Sequence, residues 1–175
     1  MSQKLLMVAT LAVMALPVAT ARAQMGFGAA AGLSAPMGTF KDAVDAGYHV
    51  TGILNFAAPL APVGFRGEAS FNQFAFKSSL GAPSGAKENI VSGTANIVVS
   101  PPGMGLYGIG GLGLYHTSAS CTGCTGSESK VGFNAGAGFK FGLTGFAAFV
   151  EARYHHVSTT GGSTSFVPIS FGLIF

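Results

Sequence analysis

Apolar and polar residues alternate one by one along most of this chain, most clearly from Gly132 to Phe141. There Phe133, Ala135, Ala137, Phe139 and Phe141 form one set, and Gly132, Asn134, Gly136, Gly138 and Lys140 form the other. Side chains of a strand point to opposite faces with period two, whereas a helix would scatter both sets around its circumference. The same alternation separates Phe65, Ala69 and Phe71 from Arg66, Glu68, Ser70 and Asn72, and Ala148, Val150, Ala152 and Tyr154 from Phe149, Glu151, Arg153 and His155. It predicts eight strands, near 27–35, 47–56, 64–76, 89–99, 104–116, 130–141, 146–157 and 165–175. Around its five glycines, 104–116 leaves two facings open, with the Leu set or the Tyr-Ile set outward.

Composition tells which two environments these faces meet. Charged residues make up 9% of the chain, against about 25% in soluble domains. None occurs between Glu88 and Glu128. That stretch is no membrane helix, because Gly, Ser and Pro101-Pro102 interrupt it. A chain this apolar that lacks a long apolar run fits a sheet with one face in lipid and the other in a lumen. In hydrocarbon the backbone of such a sheet is satisfied only if it closes. The predicted strands have about the 9–11 residues that a tilted membrane strand needs. Their connections alternate in length: 57–63, 100–103 and 142–145 are short, whereas 36–46, 77–88, 117–129 and 158–164 are longer. Short periplasmic turns and long outer loops are the habit of bacterial barrels, which puts both termini in the periplasm. The expected fold is all-β, an eight-stranded antiparallel transmembrane β-barrel over 24–175.

The segment before it reads as an address. Lys4 precedes an apolar run from Leu5 to Leu16, Pro17 ends the run, and Ala21-Arg22-Ala23 fits a cleavage site, so 1–23 is expected to be a signal peptide. Its loss would remove Lys4 and Arg22 and lower the formal charge from +3 to +1. The basic isoelectric point therefore argues for no nucleic-acid partner.

The ending Phe166-Val-Pro-Ile-Ser-Phe-Gly-Leu-Ile-Phe175 resembles the last strand of bacterial outer-membrane barrels, in which the terminal aromatic is read by the barrel assembly machinery. Val150-Glu-Ala-Arg-Tyr154 and the glycine-rich Tyr107 to Gly113 are similar to strands of the OmpA-like outer membrane β-barrel domain family. That resemblance implies residence in the bacterial outer membrane, contact with its lipid and lipopolysaccharide, and a charged, blocked interior. Phe175 is thereby the expected assembly signal. Unlike OmpA, the sequence shows no peptidoglycan-binding domain, so cell-wall tethering is not implied.

Several constellations bear on chemistry. Arg66, Glu68, Lys140, Glu151 and Arg153 are all expected to face the lumen, where unpaired charge is costly, so they should form a network that plugs it. Eight strands enclose only enough room for side chains, which excludes a wide porin and leaves a narrow pore as an alternative. Cys121 and Cys124 lie in the third outer loop; a disulfide is favoured in an oxidising compartment, with a redox pair or half a zinc site as the other readings. His155 and His156 point to opposite faces, so with His49 and His116 they read as interfacial residues rather than as a metal site, and no cofactor is expected. Tyr48, Tyr107, Tyr115 and Tyr154 are candidates for the aromatic belt at the lipid boundary. Finally, His156-Val-Ser158 is similar to the His-x-Ser element of outer-membrane lipid A deacylases. Here Thr159-Thr160 replaces that family's Asn-Ala, and no acidic residue follows Glu151 to orient the His. The sequence thus favours a monomeric, non-enzymatic barrel with a structural or surface-interaction role (envelope integrity, adhesion), able to meet an extracellular ligand at its loops. A narrow pore or a lipid A-modifying enzyme using His156 and Ser158 are the alternatives.

Overall fold

The computed structural model describes residues 24–57, 62–80, 85–120, 126–159 and 162–175. Eight strands follow in chain order: β1 Gln24–Met37, β2 Gly47–Ala57, β3 Val63–Ala75, β4 Lys87–Val99, β5 Leu106–Ser120, β6 Ser127–Leu143, β7 Phe146–Thr159 and β8 Gly162–Ile174. Each pairs antiparallel with the next, and β8 returns to β1, so the sheet closes into a barrel. Phe27 and Phe175 exchange backbone hydrogen bonds of 3.2 and 2.8 Å at the closing seam, which places the first and last strand ends at one end of the barrel. The predicted strands are all present, lengthened mainly at the opposite, loop-bearing end.

Following paired residues once around the barrel shows how the strands lean. From Gly26 the path runs through Asn55, Arg66, Asn96, Gly111, Asn134, His155 and Phe166 and comes back to β1 at Pro36, ten residues higher. A stagger of ten over eight strands corresponds to a tilt of about 40°. The interior this leaves is just wide enough for side chains to meet across it.

Outward positions are almost uniformly apolar or small, from Phe27 and Leu54 to Leu112, Phe133 and Phe171. Inward positions build three tiers. Nearest the termini, Ile53, Val98, Tyr107, Ile109 and Phe149 pack into an apolar tier. A polar middle follows. At the loop end a second apolar tier gathers Phe40, Val44, Phe74, Ile90, Tyr115, Val157 and Phe166.

The register settles the facing of β5. Leu106, Leu112 and Leu114 point outward, and Tyr107, Ile109 and Tyr115 point in. Tyr107 and Tyr115 therefore leave the aromatic belt; they are 2% and 1% exposed, whereas Tyr48 and Tyr154 do face outward. Space decides this: Tyr107 sits opposite Gly138, and a Cβ added there would fall against the Tyr107 ring.

The segment 36–46 is more than a polar loop. A one-turn helix, α1 (Phe40–Ala43), follows a turn in which Gly38 takes φ +58°. Beyond it, Asp45 N–H donates to Ala75 O (2.9 Å) and Lys77 N–H to Ala43 O (3.0 Å), pinning the segment to the end of β3. Phe40 and Val44 are thereby driven down into the barrel mouth against Phe74 and Phe166.

Candidate functional site: the charged lumen

Two inward i, i+2 pairs supply the charges of the middle tier: Arg66 and Glu68 on β3, Glu151 and Arg153 on β7. These strands face each other across the barrel, and the long side chains meet at its axis. Arg66 Nη1 donates to Glu151 Oε2 at 2.9 Å and lies 3.7 Å from Glu68 Oε1. Arg153 answers from the other wall, with Nη2 donating to Glu68 Oε1 and Nε to Glu151 Oε1, both at 2.9 Å. Its Nη1–Glu68 Oε2 and Nη2–Glu151 Oε1 contacts complete a bridge to both carboxylates. Each side chain is at least nine-tenths buried, and the four formal charges cancel.

Neutral groups complete the shell. The Tyr107 hydroxyl donates to Glu151 (2.8 Å), and Thr94 and Asn96 donate to Glu68 at 3.3 and 3.2 Å. The Arg66 guanidinium lies between the Tyr107 and Phe149 rings, 5.3 Å from each centroid, in cation–π geometry. Its Nε finds no partner among the described residues. Carboxylates paired this tightly are held as acceptors, so the arrangement neutralises charge and does not present a free acid or base.

Toward the loop end the charges give way to short polar links. Ser34 donates to Asn72 (2.8 Å) and meets His49 Nδ1 (3.1 Å), whose Nε2 lies 2.9 Å from Ser170 Oγ. The Tyr115 hydroxyl meets His155 Nδ1 at 2.8 Å, and the His155 ring stacks on Phe166 at 5.0 Å. The space left between the charges and these links is about 20 Å³, room for about one water.

Four of the five charges expected in the network are brought together. Lys140 is not among them: it keeps the inward parity, opposite Phe149, but sits near the terminal end of β6, exposed and without an ion pair among the described residues. Beyond the apolar tier its ammonium remains in water, where it needs no buried partner. The histidines scatter, with His49 and His155 inside and His116 outward on Ser129 (2.8 Å). Among the described residues no three His, Cys, Asp or Glu side chains are gathered to hold a metal. On the outer surface His156 Nδ1 meets Ser165 Oγ (2.9 Å), not Ser158. Phe175 lies between Phe27 and Phe146, with ring centroids 6.3 and 5.9 Å away. Cys121, Cys124 and the segment 1–23 lie outside the described residues.

The neutral shell and the α1 plug were missed in the sequence. Thr94, Asn96 and Asn134 carried a usable signal, as inward polar residues at the height of the charges. For the plug the signal was the apolar spacing of Phe40, Ala43 and Val44, three and four residues apart.

Comparison with known proteins agrees with this architecture. A family model described as outer membrane protein beta-barrel domain matches residues 6–175. Among curated proteins there is no match. Neisserial surface protein A (NspA) superposes with a TM-score of 0.62 at 13% identity, over 87% of this chain and 97% of that one. The outer membrane protein Ail of Yersinia pestis gives 0.54 at 18% identity, over 87% and 100%. The N-terminal β-barrel domain of Pseudomonas aeruginosa OprF gives 0.53 at 17%, over 88% and 100%. At these identities the likeness is one of fold.

Proposed function

Because the chain belongs to the outer membrane protein beta-barrel domain family, we propose that it serves the bacterial outer membrane as a sealed, non-enzymatic barrel that works through its surfaces. The observation that carries this reading is the lumen. Two apolar tiers enclose a neutral, hydrogen-bonded charge cluster, with about 20 Å³ left between its side chains. An ion would have to displace a buried salt bridge to pass, and removing one partner of such a bridge costs about 3–5 kcal/mol. What remains for work is the outside: a lipid-facing wall and the loop-bearing end, where Lys41, Asp42 and Asp45 are exposed for surface contacts. The loop end faces outward and the termini face the periplasm, with Phe175 as the signal for assembly and 1–23 as the export signal. Envelope integrity and adhesion are the roles this surface serves.

Reconstitution in planar bilayers tests the seal. The wild-type barrel should pass no resolvable single-channel current, and steady openings would overturn the reading in favour of a narrow pore. Cysteine-specific labelling on whole cells of a Lys41→Cys variant that also carries Cys121→Ser and Cys124→Ser tests the orientation; labelling confined to the periplasm would reverse it. The lipid A-modifying alternative is disfavoured because His156 is engaged by Ser165 instead of Ser158. Mass spectrometry of lipid A from expressing cells should show no new species.

A further inference from the structure

We infer that the mouth of this barrel carries an acid-sensitive latch: a proton taken up by His155 on β7 releases the α1 plug and leaves the strands in place. A line of four rings joins the two. The His155 ring lies on Phe166 at 5.0 Å, Phe166 meets Phe74 at 5.7 Å, and Phe74 meets Phe40 of α1 at 5.1 Å. All four are at least nine-tenths buried. His155 thus supports the tier on which α1 sits, and it also lines the water-sized space above the charges.

The plug depends on this support. A helix of four residues has no stability of its own. Beyond the two backbone hydrogen bonds that join its segment to the end of β3, α1 is seated by apolar contact, with Phe40 and Val44 in the tier of Phe74 and Phe166.

A neutral imidazole fits this place and a charged one does not. The Tyr115 hydroxyl meets His155 Nδ1 at 2.8 Å and finds no other acceptor among the described residues, so it donates and the ring proton sits on Nε2. A second proton would go onto Nδ1. Both ring nitrogens would then donate, and the Tyr115 proton would be left buried without an acceptor, which is costly. The new charge would also stand two residues from Arg153, in a tier whose four charges already cancel.

No further carboxylate among the described residues faces His155. From the packed strands β2 brings His49, β5 Tyr115 and β6 the neutral Asn134, while β1 and β8 bring Ser34, Phe166 and Ser170. Glu88 on β4 and the Glu128–Lys130 pair on β6 lie nearer the rim, and Lys41, Asp42 and Asp45 of the plug segment are exposed. In acid Glu88 loses its charge, which favours an apolar mouth, so it cannot imitate the latch. Water reaches a charged His155 only when α1 lifts. The proton therefore prefers the released state, and that difference in affinity is what shifts the balance. Release leaves the charge cluster and the apolar tier near the termini in place, so the lumen stays sealed.

The test is hydrogen exchange on the purified protein in mild detergent at about pH 7.5 and about pH 4.5, either side of the ordinary histidine range and corrected for the intrinsic pH dependence of exchange. Protection of the Val44, Asp45 and Lys77 amides should fall roughly tenfold in acid, an ordinary size for coupling between two sites, while the strand amides hold. His155→Gln should erase the response. His49→Gln should keep it, because Ser34 and Ser170 can serve either form of that ring. Should His155→Gln fail to give the heat-modifiable closed form, ring NMR of histidine-labelled wild type decides: the midpoint of His155 must coincide with that of release. Protection indifferent to pH, a response that survives His155→Gln or vanishes in His49→Gln, loss of the strands together with the plug, or a His155 midpoint away from that of release would each overturn the latch.

Discussion

Replacing Glu151 by Gln keeps the shape of the lumen and removes one of its charges. In the native barrel Glu151 accepts from Arg66, from Arg153 and from the Tyr107 hydroxyl. After the change Arg153 keeps Glu68, but Arg66 keeps only a carboxylate 3.7 Å away, and the buried tier carries a net positive charge. Removing one partner from a buried pair costs about 3–5 kcal/mol. With a urea slope of about 1–3 kcal/mol per M, the unfolding midpoint should fall by roughly 1–5 M. Arg66→Met should cost a similar amount. The double variant leaves Glu68 and Arg153 as a balanced pair, so it should lose much less than the sum, a coupling of about 2–3 kcal/mol. The chain contains no Trp, so unfolding from lipid vesicles is followed by gel mobility and far-ultraviolet circular dichroism. Two single effects that add to within about 0.5 kcal/mol would refute the claim that these charges act as one cluster.

Three further outcomes follow from the tiers. Phe40→Ala removes the ring seated on Phe74 and should cost up to about 3–5 kcal/mol locally; hydrogen exchange at the Val44, Asp45 and Lys77 amides should quicken while the strands stay protected. Gly138→Leu drives a side chain into Tyr107, so it should abolish the heat-modifiable folded form, whereas Gly67→Ala should leave it intact. Phe175→Ala breaks the Phe27–Phe175–Phe146 stack and should slow assembly in cells more than refolding into detergent, read as the ratio of folded to unfolded bands.

The strands were legible because period-two alternation is forced wherever lipid lies on one side and a packed lumen on the other. Gly132 to Phe141 shows it residue by residue. Around Tyr107 the pattern failed, since the glycines on both sides of β5 carry no polarity to read, and the facing depends on which neighbour leaves room. Lys140 failed for a related reason: parity gives the direction of a side chain but not its height. The pairing of Arg66 with Glu151 was foreseeable as chemistry, but its partners depend on the stagger of the whole barrel, which no single segment encodes. Phe40 and Val44 lay in a stretch whose charges made it look solvated, and only the mouth beneath them gives their spacing a meaning.

The order of charges on the two opposed walls has one more consequence. A strand that slips by two residues keeps its apolar face toward lipid, so neither hydrophobicity nor alternation penalises the error. On β3 the order toward the loop end is Arg66 then Glu68, and on β7 it is Glu151 then Arg153 if read along its own chain direction. At a stagger of ten, unlike charges face each other; a slip of two would bring Arg66 against Arg153 or Glu68 against Glu151. The cluster therefore acts as a proofreading lock on closure, since a barrel zipped shut two residues out of step traps like charges in a dry interior.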